Sequence, residues 1–329
     1  MRKLKIFKSD FLLLFISFVL LFSVIIPVPY YVTLGGGIMN VDEKIEVYNG
    51  EIVKGSINSL YVKQAHANLL YYLLSYVIPS YEIERIKDVT LDEDYLDYET
   101  RERYYFNNSL DSALFVAYSK ADKTIKTREE KLYVSYVDKI SDTNLKVGDQ
   151  IISVNGVSIS SSEELSKEIN KFCFDEKIDI EVMSGKTKQK RYAYVKKYND
   201  LKVVGISVYT DYTYEVEPKI NIDFSDNEAG PSGGIMLALS IYNKLVKEDI
   251  TCGKVISGTG VIDFDGNVTE IGGVTYKLSA AASNMADVFI VPYENYEEAL
   301  KYKKERKLNI KIIKVKSFDE ALAKLKKCK

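Results

Sequence analysis

Two glycine-rich segments in the last third of the chain constrain its fold most strongly, because each leads directly into an apolar helical stretch. The first is Gly230-Pro231-Ser232-Gly233-Gly234, and the second is Gly272-Gly273-Val274-Thr275-Tyr276-Lys277. Glycine and proline permit a sharp entry into a helix, and glycines beside a side chain let another backbone approach it closely. The sequence therefore predicts two helix starts, one marked by a serine and the other by a lysine.

Ser232 is a candidate nucleophile. A hydroxyl at the start of a helix lies near free backbone N–H groups and the positive end of the helix dipole, which are the components of an oxyanion hole. The alternative is that Ser232 only caps a buried helix, which is a common role for serine. The chain contains a single histidine, His66, so most Ser–His and Cys–His mechanisms are nearly excluded.

Lys277 is a candidate general base. A free lysine has a pKa of about 10.4, so useful basicity near pH 7 requires a stabilisation of the neutral amine by about 4 kcal/mol. Burial can lower a lysine pKa that far, and the neighbours Val274, Leu278, Ala280 and Ala281 are apolar. The alternative is an ordinary solvent-exposed lysine on a helix.

The two motifs, with a strand–turn–strand pattern between them from Ser257 to Ile271, resemble the core of the Lon-type peptidases. That family uses a Ser–Lys dyad and needs neither histidine nor metal. The resemblance implies Ser232 as nucleophile, Lys277 as general base and Thr259 as a residue that helps hold the lysine. It gives supporting roles to Gly230, Pro231 and Gly233.

The chain departs from the family pattern at two positions. Gly233 replaces the commoner alanine after the serine, and Ala229 stands where ATP-dependent Lon proteins have an acidic residue. Ser184-Gly185-Lys186-Thr187 lacks the first glycine of a Walker A motif and lies in a predicted hairpin, so it predicts a turn. We therefore expect a peptidase that uses no ATP, no cofactor and no metal.

The N-terminal segment predicts a membrane anchor. Arg2, Lys3, Lys5 and Lys8 precede an uncharged apolar stretch over residues 11–32, about the length that a bilayer requires. The basic flank predicts a cytoplasmic N-terminus and an extracellular remainder. A cleavable signal peptide is the alternative, but an A-x-A cleavage site is missing.

The middle of the chain predicts a PDZ-like domain. The string from Leu145 to Gly156 (LKVGDQIISVNG) resembles a PDZ domain, with turns at Gly148-Asp149 and Asn155-Gly156. PDZ domains bind extended peptides by strand addition. The carboxylate-binding loop is expected near Arg128–Leu132, which contains no glycine, so the domain could recruit substrate, gate the site or serve structure alone.

Composition and cysteine usage exclude other classes. With 46% hydrophobic residues and a net charge of −2, the chain can form one or two ordinary cores and has no basic excess for nucleic acid. Cys173, Cys252 and Cys328 are too widely spaced to predict a zinc site or a disulfide framework. Apolar spacing predicts helices over Gln64–Ile78 and Ser109–Ala121.

The expected fold class is α+β, with an N-terminal transmembrane helix, a PDZ-like β-rich domain and a Lon-type α/β peptidase domain. The predicted order is a basic tail (1–10), an anchor (11–32), an extracytoplasmic region (33–125), the PDZ-like domain (126–198) and the peptidase core (199–329). The helix before residue 125 resembles an early helix of the Lon fold. A further hypothesis is therefore that the PDZ-like domain is inserted within the peptidase fold.

This arrangement resembles the YlbL and SepM group of membrane-anchored, ATP-independent serine peptidases. The resemblance implies hydrolysis of extracytoplasmic unfolded proteins or peptides, including maturation of a secreted signalling peptide in some relatives. The alternative function is a membrane-tethered binding adaptor with a PDZ-like domain and an inactive peptidase fold. The sequence leaves the substrate and the oligomeric state open.

Overall fold

The computed structural model describes residues 8–78, 80–225 and 228–326 of the chain. Within these ranges, the residues up to 37 together with 62–94 form one compact unit. Residues 38–61 together with those from 95 onward form a second. The strands β1 and β3, whose bounds follow, each pass from one unit into the other.

In chain order the helices are α1 (Lys8–Ile25), α2 (Leu69–Leu74), α3 (Ile86–Thr90), α4 (Tyr95–Lys120), α5 (Ser162–Ile169), α6 (Gly234–Leu245), α7 (Val274–Ser283), α8 (Tyr296–Arg306) and α9 (Phe318–Lys326). The strands are β1 (Pro27–Asn40), β2 (Ile45–Val47), β3 (Ser56–Asn68), β4 (Glu82–Arg85), β5 (Thr124–Val137), β6 (Gln150–Val154), β7 (Val157–Ser158), β8 (Lys177–Ser184), β9 (Thr187–Tyr194), β10 (Lys196–Tyr198), β11 (Leu201–Val203), β12 (Ile206–Glu217), β13 (Ile220–Ile222), β14 (Val255–Gly258), β15 (Val261–Ile262), β16 (Val268–Thr269), β17 (Val288–Pro292) and β18 (Lys311–Val315).

The first unit contains the apolar N-terminal helix α1, which ends at Ile25 and is followed by β1 from Pro27. The predicted anchor over 11–32 is therefore wrong in its last part, which is a strand. Proline cannot donate a backbone hydrogen bond and disfavours a helical conformation in the residue before it. No helix within the described residues combines the length and apolarity that a membrane crossing requires, so the predicted transmembrane helix lacks support there.

The rest of the first unit is a small α/β arrangement. β1 pairs antiparallel with β4, with Tyr30 opposite Arg85, and the His66 ring lies 4.8 Å from the Tyr31 ring. The helix predicted over Gln64–Ile78 is wrong in its first part, because β3 continues to Asn68. α2 begins only after Asn68, whose side chain accepts a hydrogen bond from the Tyr71 N–H at 2.9 Å and caps the helix.

The second unit is built on parallel strands in the order β18, β17, β14, β3. Every residue of β17 (VFIVP) is buried, as expected for a parallel strand covered on both faces. Helix α6 is almost as completely buried as β17, because Lys244 is its one residue that is not buried. The strands and helices together form an α/β core that matches the expected fold class for this region.

α4 packs against α6 in this core through fully buried small residues, among them Ala113 and Ala117. The helix begins at Tyr95, 14 positions before the predicted start at Ser109. Ser109 is therefore a buried residue within the helix, 1% exposed, and does not lie at its start. Residues on both sides of the PDZ-like segment thus share one hydrophobic core.

The PDZ-like segment forms a separate sheet with strand order β12-β5-β6-β8-β9 and its own hydrophobic core. Leu132, Ile151 and Val182 belong to that core and are at most 1% exposed. The sheet extends beyond the predicted range 126–198, because β12 pairs along the whole length of β5.

Two turns in this sheet are as predicted. Asn155 and Gly156 adopt φ values of 45° and 82° in the turn between β6 and β7, a pair typical of tight hairpins. Ser184 lies opposite Thr187 at the end of the β8–β9 hairpin, so this segment is a turn and not a phosphate loop.

The expected carboxylate loop near Arg128–Leu132 is wrong. Those residues lie within β5, paired with β12. β12 and β9 are the two edge strands of the sheet, and β12 is preceded by Gly205 at φ 68°. β9 is partly covered, because Ala193 forms a bridge with Thr143. β12 is therefore the better candidate for peptide addition, since edge strands have unpaired backbone groups.

Candidate active site

The serine loop enters α6 through backbone conformations that glycine permits. Gly230 adopts φ 79°, in the left-handed region that glycine favours. The Ser232 carbonyl accepts a hydrogen bond from the Gly260 N–H at 2.7 Å, and the Ile235 N–H donates to the Gly260 carbonyl at 3.2 Å. These two bonds fix the serine loop against the segment between β14 and β15.

The lysine helix α7 starts directly after Gly273, which has φ 67°. Lys277 lies one turn into the helix, and its N–H donates to the Gly273 carbonyl at 3.1 Å. Its side chain is only 3% exposed, and its Nζ lies 2.8 Å from Ser232 Oγ, within hydrogen-bonding distance. The structure therefore brings the two candidate catalytic side chains together.

Thr259 contacts both partners. Its Oγ1 donates to the Ser232 carbonyl at 2.9 Å and accepts from Lys277 Nζ at 3.2 Å. Because the threonine proton is used on that carbonyl, Oγ1 faces the amine as an acceptor. A neutral amine that donates one N–H to Thr259 can direct its lone pair towards Ser232 Oγ.

Burial lowers the pKa of Lys277 from its ordinary 10.5 to about 8. No ion pair involves this lysine in the described part of the chain, so no carboxylate opposes the effect of desolvation. The decrease corresponds to about 3 kcal/mol in favour of the neutral amine. At pH 7 about one Lys277 in ten is then neutral, compared with about one in 3,000 at the ordinary pKa.

Backbone donors lie beside the hydroxyl. Gly233 is the N-cap of α6, and neither the Ser232 nor the Gly233 N–H has a hydrogen-bond acceptor within the described ranges. Free N–H groups at a helix start attract negative charge. These two groups are therefore the candidate oxyanion donors.

Two contributions to the site were missed in the sequence. The Ser109 Oγ, on α4, donates to the Pro231 carbonyl at 2.9 Å. A Cβ on Gly233 would lie 2.7 Å from Ser59 Oγ, on β3, which gives a physical reason for glycine where alanine is commoner. Nothing local in the sequence marked either Ser109 or Ser59 as part of the site.

Metal-dependent and cysteine-based mechanisms have little support in the described residues. Within the described residues no group of His, Cys, Asp and Glu side chains could hold a metal ion. Cys173 and Cys252 are exposed free thiols, and Cys328 lies outside the described residues.

The C-terminal part of the chain matches a known family. Residues 181–327 match the family model of the Lon protease (S16) C-terminal proteolytic domain. The chain carries a Lon-type serine peptidase domain. The matched region contains Ser232, Thr259 and Lys277 but not α4 or β3, which complete the same core. The prediction of this domain is confirmed.

Curated relatives agree over a shorter stretch. Lon protease 2 of Bacillus subtilis is 40% identical over 93 residues, which cover 28% of this chain and 16% of that protein. Lon protease of Campylobacter jejuni is 33% identical over 123 residues, which cover 32% of this chain and 15% of that protein. The matched stretches therefore span about one sixth of these relatives' lengths.

The chain has PDZ-like structural neighbours. The PDZ domain of an SdrC-like protein from Listeria monocytogenes is 20% identical to this chain. The match covers 25% of this chain and 92% of that domain, with a TM-score of 0.23.

Proposed function

We propose that the protein is an ATP-independent serine endopeptidase in which Ser232 is the nucleophile and Lys277 the general base. The observation that carries the proposal is the 2.8 Å contact between Lys277 Nζ and Ser232 Oγ, with the amine almost completely buried. A serine needs an adjacent base to become a nucleophile, and a neutral lysine can provide it.

In acylation, the neutral Lys277 amine takes the Ser232 hydroxyl proton as Oγ attacks the carbonyl carbon of the scissile peptide bond. The tetrahedral intermediate carries negative charge on its oxygen, which the Ser232 and Gly233 N–H groups stabilise. Lys277, now an ammonium, gives its proton to the leaving amine as the C–N bond breaks. The products of this half-reaction are a free amine and an ester on Ser232.

In deacylation, water attacks the ester and Lys277 takes a proton from it. The second tetrahedral intermediate collapses, Oγ leaves, and Lys277 returns the proton to it. A carboxylic acid is released and the dyad is restored. Thr259 keeps the amine oriented in both steps, because its contacts with the lysine and the serine loop do not depend on substrate.

The substrate class is unfolded protein or short peptide, cleaved without nucleotide. Both dyad side chains and their candidate oxyanion donors come from this chain alone. The edge strand β12 offers unpaired backbone groups to an extended segment, which favours substrate recruitment by the PDZ-like domain.

The test uses the full chain in detergent with unfolded casein and no nucleotide. Ser232→Ala and Lys277→Ala should lose cleavage, while Ser283→Ala, an exposed serine at the end of α7, should retain it. Undiminished cleavage by either dyad variant would refute the assignment. Capture of casein without turnover by the wild type would favour the adaptor hypothesis.

As a further part of this proposal, the apolar N-terminal segment attaches the protein to a membrane, with the catalytic domain on the extracellular side. Support comes from the side chains of α1, because Phe11, Leu14 and Phe15 are each at least 58% exposed and the other apolar residues of the helix from Leu12 to Ile25 are at least 45% exposed. A surface of that kind is unstable in water and favours contact with lipid. Carbonate extraction of cell membranes tests the anchor, since release of the full chain into the supernatant contradicts it.

Sidedness is tested with the exposed thiol of Cys252. In a background of Cys173→Ser and Cys328→Ser, a membrane-impermeant maleimide should label Cys252 in intact cells. Labelling only after lysis would place the catalytic domain in the cytoplasm.

A further inference from the structure

A buried asparagine fixes the segment that leads into the lysine helix. Asn295 is 8% exposed and lies between β17 and α8. Its Oδ1 accepts from the Ile271 N–H at 2.9 Å, and its Nδ2 donates to the Ile271 carbonyl at 3.0 Å. One amide thus satisfies both backbone groups of a single residue, as a neighbouring strand would.

Ile271 is the last residue before the glycine pair that starts α7. A Cβ on Gly272 would find no atom within 4 Å, and Gly273 is in the left-handed region. Two successive glycines restrict the backbone weakly, so the position of α7 relative to β16 needs another constraint. Val274, Leu278 and Ala281 pack α7 into a buried core, and the two bonds from Asn295 add a polar constraint on the segment that enters the helix.

Asn295 is itself held in place by the buried strand β17. The Asn295 N–H donates to the carbonyl of Pro292, the last residue of that strand, at 3.2 Å. From the same strand, the Ile290 carbonyl accepts from the Thr259 N–H at 3.0 Å. One strand therefore positions Thr259 directly and Lys277 through Asn295.

We infer that Asn295 is a positioning residue for Lys277. By holding the segment that enters α7, Asn295 sets the distance from the Lys277 amine to Ser232 Oγ and keeps water away from that amine. The inference rests on the proposed function. Asn295 does not contact the substrate in this role. Its effect should therefore appear in the chemical step and in the protonation of the lysine, with little change in substrate affinity.

The direct test is Asn295→Ala in the full chain, with kcat and KM for unfolded casein measured from pH 6 to 10. We expect kcat to fall by about 10- to 100-fold, because displacements near 1 Å in a reacting pair cost that much. KM should stay within about twofold. The apparent pKa of the kcat/KM profile should rise above the wild-type value as water reaches the amine.

Asn295→Asp refines the test. A carboxylate still accepts from the Ile271 N–H but cannot donate to its carbonyl, so kcat should lie between the wild-type and alanine values.

The matched control for stability is Asn243→Ala. Asn243 is 1% exposed, accepts from the Ile250 N–H at 2.8 Å and donates to Asp249 at 3.0 Å, at the far end of α6 from Ser232. It should lower the melting temperature by a similar amount and leave the pH profile unchanged.

The outcomes separate the two proposals. If wild type cleaves casein through Ser232 but Asn295→Ala has an unchanged kcat and pH profile, the positioning role is wrong and the proposed function stands. The same holds if Asn243→Ala changes the profile equally. If wild type does not cleave, the proposed function fails.

Discussion

The rate of peptide cleavage should follow the deprotonation of Lys277. Burial lowers the pKa of this amine to about 8, so log(kcat/KM) should rise with a slope near one from pH 6 to about 8 and then level off. At pH 7 the neutral fraction is about 300 times larger than at the ordinary pKa of 10.5.

The assay is initial cleavage of fluorescently labelled unfolded casein by the full chain. Lys277→Arg places a group that stays protonated at every accessible pH, and should lower kcat/KM by about 10²- to 10⁴-fold, the typical contribution of a general base. Lys244→Met is the matched control, because Lys244 is a partly buried lysine that donates to the Asp42 and Ile45 carbonyls. It should keep the wild-type profile.

The same pKa has a consequence for stability. The folded protein holds the amine in a site that disfavours charge, so below pH 8 the buried ammonium costs up to about 3 kcal/mol. This cost disappears as the pH rises from 8 to 10.5. Lys277→Met should therefore be more stable than wild type at pH 7 and lose that advantage near pH 10.

A cleavage rate that is independent of pH, or full activity in Lys277→Arg, would refute the assignment of Lys277 as the general base.

Three further outcomes follow from contacts in the second unit. Thr259→Val removes the hydroxyl that orients the amine and should lower kcat by about 10-fold or more with little change in KM, measured on casein. Burial raises the pKa of Asp111 to about 7, so folded protein holds a proton that the unfolded chain releases above about pH 4. Stability should therefore fall from pH 4 to 7 by up to about 4 kcal/mol, and thermal melts of Asp111→Asn should lack that fall. Gly234→Ala would place a Cβ 2.3 Å from Ser109 Oγ and should cost about 1–3 kcal/mol in urea unfolding, whereas Gly272→Ala meets no atom within 4 Å and should be nearly neutral.

The dyad could be predicted from the sequence because each half is local. Ser232 and Lys277 each follow a glycine-containing entry to an apolar helix, and both features lie within a few residues. Their 2.8 Å contact was expected only through the family resemblance. Ser109 and Asn295 carry no such local signal, since their partners, Pro231 and Ile271, lie 122 and 24 positions away.

The N-terminal half was harder to predict because apolar residues there serve strands as well as helices. The stretch from Gln64 to Asn68 alternates polar and small residues and continues β3, although its spacing also fits a helix. The residues from Tyr95 to Ser109 include many charged side chains, yet they form the first turns of α4. Tertiary packing of α4 against α6 overrides its weak local pattern.

The core that holds the serine loop also contains residues that precede position 199. α6 is buried on nearly every face, and Ala113 and Ala117 of α4 supply part of its cover. β3 adds Ile57 to the same core and pairs with β14, the strand that precedes Thr259. A fragment of residues 199–329 would expose these apolar surfaces and leave the Pro231 carbonyl without Ser109. α4 precedes the PDZ-like sheet in the chain and α6 follows it. The two helices that pack together in the core are therefore separated in sequence by the whole sheet.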